Sequence, residues 1–246
     1  MLMISDNMHV DRIVERWRQR QDMMRARLRL ELQGQSMCRR LCDGDKVQAA
    51  KLWAAAAKDD EHEIRPLIEP MLAAMVPLLD SQKWIEKDIK ASVRQMRLWN
   101  EWAVDIKGFG EVSFGGVIGE CAIMPGEYRN PSCLWKRMGM AVIGGERQRK
   151  CANAEKAIEH GYNPTRRSLM WNIGGTLMKA QIRNPKGEDG KPIGESVAIG
   201  ELGQVYLDRK VYENTREGVT PILAHLRAKR YMEKRLLRQM WQASRV

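Results

Sequence analysis

Residues Ile106 to Glu120 read IKGFGEVSFGGVIGE, and the reading of this stretch decides the fold. Gly108-Phe109-Gly110 interrupts helix-favouring sequence on both sides. Two glycines one residue apart permit a tight turn and a close approach by a ligand. The residues that follow, with Gly115, Gly116 and Gly119, are small enough for a closely packed helix. The expected order is helix, turn, helix. Amide groups at the start of the second helix can then hold a phosphate oxygen, a contact that grips a nucleic-acid backbone without reading bases. Lys107, Gly108, Phe109 and Gly110 are the candidate residues. The plainer alternative is that both turn glycines only end a helix and the later ones only serve packing.

Upstream of the turn, Leu78, Ile85, Ile89, Val93, Met96 and Trp99 recur at helical spacing. A long helix from Leu78 to about Ala103 is expected, with a stripe suited to a helical hairpin, a coiled-coil partner or plain core packing. Pro66, Pro70 and Pro77 lie before and at its start, where breaks or kinks are expected. Val10, Ile13, Val14, Trp17, Met24 and Leu28 trace one face of an earlier helix running to about Leu32. Seven arginines surround that face, among them Arg25, Arg27 and Arg29. They form either a solvated basic face or a set of planar, two-pronged donors to phosphate.

Downstream, Asn163-Pro164-Thr165-Arg166-Arg167 reads as a helix start with Asn163 as cap. Arg166 and Arg167 in that first turn oppose the helix dipole, which an anion would relieve, unless both simply face solvent. Residues 184–204 form a Gly/Pro-rich loop. Thr220-Pro221 opens a last helix to about Ala243, with Arg230, Lys234 and Arg235 on its basic side.

The whole chain has 246 residues, 42 Lys and Arg against 31 Asp and Glu, and a formal net charge of +11. By segment the charge is about +3 over 1–50, about −2 over 51–105, about +4 over 106–204 and about +6 over 205–246. Such a balance points to a polyanionic partner, DNA or structured RNA first. Two Phe and five Tyr beside 16 Met favour helix and exclude an all-β fold. No apolar run is long enough to span a membrane. Five scattered cysteines (Cys38, Cys42, Cys121, Cys133, Cys151) read as reduced thiols in a cytoplasm.

Catalytic patterns are thin. His9, His62, His160 and His225 are far apart, and Cys38-x3-Cys42 has no second ligand pair. There is no phosphate-binding Walker loop, no G-x-S-x-G and no dinucleotide fingerprint. The Asp59-Asp60-Glu61-x-Glu63 run reads as solvated charge. No catalytic residue, metal site or cofactor is expected.

The order of segments nevertheless resembles a known one. The glycine turn is similar to a helix-hairpin-helix motif. The turn at 108–110, Leu134-Trp135-Lys136-Arg137-Met138-Gly139-Met140, Asn163 to Leu169, Ala228 to Trp241 and the Arg-rich residues 10–45 together resemble the bridge-RNA-guided insertion-sequence transposases. That resemblance implies binding of DNA or guide-type RNA. It also implies an RNase H-like (RuvC-like) domain with four acidic residues, which has no counterpart in these residues, and a serine soon after Gly139-Met140. Here Ala141-Val142-Ile143-Gly144-Gly145-Glu146-Arg147 follows, with no serine. Strand cleavage by this chain alone is therefore not expected.

The expected architecture is mainly α. It comprises a basic Arg-rich helical segment (1–50), a helical hairpin or coiled-coil arm (51–105), a helix-hairpin-helix domain resembling the transposase C-terminal part (106–183), the loop (184–204) and a basic C-terminal helix (205–246). The expected function is phosphate-gripping nucleic-acid binding by a transposase-like protein of a bacterial, phage or plasmid mobile element. The alternatives are a subunit of a split transposase acting with a separate RuvC-like chain, and a protein partner or regulator of a full-length transposase. A homodimer through residues 78–103 is the expected self-association.

Overall fold

The computed structural model describes residues 6–187, 190 and 193–245. The fold is mainly α, with ten α-helices and four two-residue strands among the described residues. In chain order these are α1 (Asp6–Leu41), α2 (Lys46–Ala56), α3 (Arg65–Val93), α4 (Arg97–Glu101), α5 (Glu111–Cys121) and α6 (Pro131–Arg137). Then follow β1 (Val142–Ile143), β2 (Glu146–Arg147), α7 (Ala154–His160), α8 (Pro164–Gln181), β3 (Ile182–Arg183), β4 (Val197–Ala198), α9 (Glu201–Asn214) and α10 (Pro221–Ala243). β1 pairs antiparallel with β2, and β3 with β4. The chain divides into two compact units: Glu15–Ile89 is one, and the residues up to Val14 with Lys90–Val246 are the other.

The smaller unit is held at one end by an apolar cluster. Cys38 of α1, Ala49, Trp53 and Ala56 of α2 and Ile68 of α3 are buried together, flanked by Leu52, Met71, Leu72 and Met75. Asp45 starts α2 by accepting from the amides of Val47 and Gln48 at 2.7 and 3.1 Å, the usual way to satisfy orphan N–H groups. Elsewhere in the unit ion pairs also join α1 to α3. Arg16 and Arg20 of α1 pair with Asp88 and Glu86 of α3 at 2.6 and 2.7 Å. These two arginines of the Arg-rich helix thus face α3 and not a phosphate.

The prolines behave differently from expectation. Pro66 is the second residue of α3, where its missing N–H costs nothing. Pro70 and Pro77 lie inside the helix on its exposed side, and the helix runs through both. An interior proline costs about 3 kcal/mol. Burial of Ile68, Ile85 and Ile89 along α3 offsets this, at roughly 1.5–3 kcal/mol each. The helix ends at Val93, short of the expected Ala103. Ile85, Ile89, Val93, Met96 and Trp99 are all buried within the chain, so the stripe at 78–103 is core and not an open dimer seam.

In the larger unit α10 is the element on which the others pack: α9, α8, α6 and the turn at 125–127 all lie against it. Ala224, Ala228, Met232, Leu236 and Met240 recur every four residues along it with no exposed surface, one continuous apolar stripe. Thr220 caps it as the sequence indicates, accepting from the Leu223 amide at 3.2 Å. Residues 205–246 are not one helix, since α9 and α10 flank a turn. α9 also begins inside the expected 184–204 loop, of which Glu188, Asp189, Lys191 and Pro192 lie outside the described residues.

A Cβ at Gly34 of α1 would fall within the Trp53 ring. Gly34→Ala should therefore lower stability by about 1–3 kcal/mol through overpacking, read from urea unfolding. An unchanged midpoint would show that α1 and α2 are not in that contact.

Candidate nucleic-acid interface

The turn at 106–110 joins a short 3-10 turn (Ala103–Asp105) to α5 and splits into two kinds of residue. Gly108 has φ +88°, and a Cβ there would meet the Thr176 carbonyl at 2.7 Å and Ala180 Cβ at 2.8 Å. Its task is to let the turn lie against α8. Phe109 is 1% exposed and packs on Trp102 and Phe114, so it is core and not a ligand contact. Gly110 is exposed, caps α5 without a side-chain hydrogen bond, and has open space where a Cβ would be. Lys107 is also exposed. These two residues, with the first amides of α5, are what the turn offers to an anion. Glu111 in that first turn is already paired with Arg94 at 2.7 Å.

A residue the sequence reading missed fixes the turn. Gln181, 3% exposed, donates from Nε2 to the Lys107 carbonyl at 3.0 Å. Its Oε1 accepts from the Gly203 amide at 3.1 Å, which ties the turn to the start of α9. No local signal marks it, because both partners are distant in sequence.

Arg166 and Arg167 do stand at the start of α8, where Asn163 Oδ1 accepts from the amides of Thr165 and Arg166 at 2.9 and 3.2 Å. Their side chains turn inward. Arg166 pairs with Glu120 of α5 at 3.1 Å and Arg167 with Glu233 of α10 at 2.9 Å. The expected phosphate contacts are thus internal ion pairs, formed because carboxylates on other helices needed counter-charges. Glu233 is fully buried, its Oε1 has no hydrogen-bond partner, and burial pushes its carboxyl up to about 7 despite Arg167, Lys229 and Arg230.

The basic side of α10 is likewise half inside. Arg230 donates to the Ala141 carbonyl at 3.3 Å, and burial with Arg167 nearby lowers its pKa to about 10, so it stays cationic. Lys234 lies over Trp135 at 4.6 Å, and burial lowers its pKa. Arg235 is bonded to the Tyr231 hydroxyl. On α1, Arg25 and Arg29 are exposed, Arg25 with Asp22 at 3.0 Å, while Arg27 is half-buried.

What the sequence reading left out is the β1–β2 hairpin. Gly144 and Gly145 have φ of +55° and +80°, the left-handed pair that a two-residue hairpin turn requires. Arg147, Arg149 and Lys150 emerge from it exposed. Arg149 reaches Glu146 at 2.9 Å; among the described residues no carboxylate pairs with Arg147 or Lys150. The Gly-Gly pair between Ile143 and Glu146 was the available signal.

Among the described residues no three His, Cys, Asp or Glu side chains group as metal ligands, and no helix is long and apolar enough to cross a membrane. No family model, curated protein or solved structure matches the chain.

The two turn glycines should respond differently to substitution. Gly108→Ala strains both backbone and the α8 contact, and should lower the melting temperature of the larger unit. Gly110→Ala has room and should leave the melt unchanged; equal melts for both variants would contradict the packing of Gly108. The buried carboxylate adds a pH dependence. An acid held at about 7 when folded and near 4.5 when unfolded loses stability as pH rises between those values. Wild type should weaken from pH 5 to pH 7.5 relative to Glu233→Gln in urea titrations, and parallel curves would refute the shift.

Proposed function

We propose that this protein binds nucleic acid through its phosphates, largely without reading sequence, and does not cut strands on its own. One observation carries this most directly: in the larger unit Arg147, at the end of the β1–β2 hairpin, and Arg149 and Lys150, just after it, are all exposed. Three exposed cations within four residues can meet phosphates of a strand close together. Lys107, Gly110 and the open start of α5 offer a second phosphate contact in the same unit. The resemblance to bridge-RNA-guided insertion-sequence transposases fits a role beside such an enzyme, DNA or structured RNA being the ligand. If that resemblance holds, the family's serine would fall near residues 141–147, which hold the β1–β2 hairpin and no serine.

The test is fluorescence anisotropy with duplex DNA, single-stranded DNA and hairpin RNA over a range of salt. Each phosphate neutralised contributes about 0.9 to the slope of log affinity against log salt on duplex DNA. Replacing Arg147, Arg149 and Lys150 by Ala should lower that slope by about 2–3 and weaken binding at least ten-fold. An unaltered slope would remove the hairpin from the interface. If no probe binds better than about micromolar at low salt, below the range of non-specific binders, the nucleic-acid reading fails and a protein partner takes its place.

A further inference from the structure

The α9–α10 pair carries a stack of side chains that phosphate binding leaves unused. The Arg209 guanidinium lies between two rings, 4.6 Å from the centre of Tyr212 and 4.9 Å from that of Tyr231. Arg235 covers Tyr231 at 5.2 Å and donates to its hydroxyl from Nε and Nη2 at 3.1 and 2.7 Å. The order is Tyr212, Arg209, Tyr231, Arg235. Glu213, fully buried, fixes Arg209 from below and also takes Arg227 at 3.0 Å. The stack is therefore held in place before any ligand arrives. With Val205 and Asp208 these four side chains line an open groove of about 270 Å³, and Tyr212 is 52% exposed.

An exposed aromatic ring in line with guanidinium groups suits one kind of ligand. An unpaired nucleobase stacks on the ring while a phosphate further along the same strand meets the cation. Bases inside a duplex have no free face to offer. A cationic ligand is disfavoured, because Arg209 already fills the space between the rings that a cation would take. Asp208 adds a preference. Its Oδ1 accepts from Gln204 at 2.6 Å, and the carboxylate on the groove wall is an acceptor only. It favours base edges that present amino groups, as in cytosine, over the carbonyl edge of thymine.

We infer that the Tyr212–Arg209–Tyr231–Arg235 stack is a binding site for a short unpaired strand, with one base on Tyr212 and a phosphate further along the same strand at Arg235. This rests on the nucleic-acid reading above and adds to it a subsite for unpaired strand, such as an overhang, bulge or loop, with a preference for amino-bearing bases.

The experiment uses the full chain with labelled oligo(dC), oligo(dT), oligo(rC) and a blunt DNA duplex at neutral pH. Wild type should bind oligo(dC) more tightly than oligo(dT). Tyr212→Ala should bind single strands about ten-fold more weakly, with its duplex affinity and thermal melt unchanged. Tyr212→Phe should restore single-strand binding. Oligo(rC) beside oligo(dC) assigns the strand as RNA or DNA. Wild-type affinity of Tyr212→Ala for oligo(dC) overturns the stack while leaving the phosphate reading intact, as does duplex binding with no single-strand binding at all. Failure of every probe overturns both.

Discussion

Two carboxylates buried among helices govern the larger unit. Glu213 of α9 and Glu233 of α10 have no exposed surface, and removing a charge from water costs several kcal/mol unless a partner and hydrogen bonds replace it. Glu213 finds Arg209, Arg227 and Arg216, from its own helix, from α10 and from the turn between them. Burial works to raise its pKa, but the guanidiniums of Arg227 and Arg209 outweigh that and hold it below the usual carboxylate range. Glu233 finds one close partner, Arg167 of α8, and keeps one oxygen unsatisfied. A Cβ at Gly174 of α8 would press on that same side chain. The two acids thus join α8, α9 and α10, and draw Arg167, Arg209, Arg216 and Arg227 into internal pairs.

That constraint explains why the basic sequence and the basic surface differ. Arg166 and Arg167 are adjacent at a helix start, the place where an anion site is expected from sequence. Nothing local to them reveals that Glu120 and Glu233 come opposite. The same holds for Arg16 and Arg20, whose partners Asp88 and Glu86 stand on another helix. Helices were legible because their signals are local: Asn163-Pro164 and Thr220-Pro221 cap where they are read to cap. The survival of α3 through Pro70 and Pro77 was not, because the compensating burial involves contacts distant in sequence. The β1–β2 hairpin had a local signal in Gly144-Gly145, but strands of two residues are too short for alternation to show.

The glycine turn illustrates the same division within five residues. Gly108 and Phe109 face inward, toward α8 and the Trp102 and Phe114 rings, while Lys107 and Gly110 face out. A pattern such as G-F-G cannot separate a turn that binds phosphate from one that only packs. Gln181 holds the Lys107 carbonyl, while the Lys107 side chain and Gly110 remain exposed.

Internal pairing does not reduce the charge that a distant polyanion meets. The net +11 is a sum over the chain, and an arginine facing a glutamate inside it leaves that sum unchanged. Attraction at distances beyond single contacts depends on the sum and weakens with salt. Close contact depends instead on which cations reach solvent. In the larger unit these include Arg147, Arg149, Lys150 and Lys107, and only some of the basic side of α10. Total charge therefore bears on long-range attraction, while which cations could make close contact depends on internal pairs such as those that Glu213 and Glu233 form.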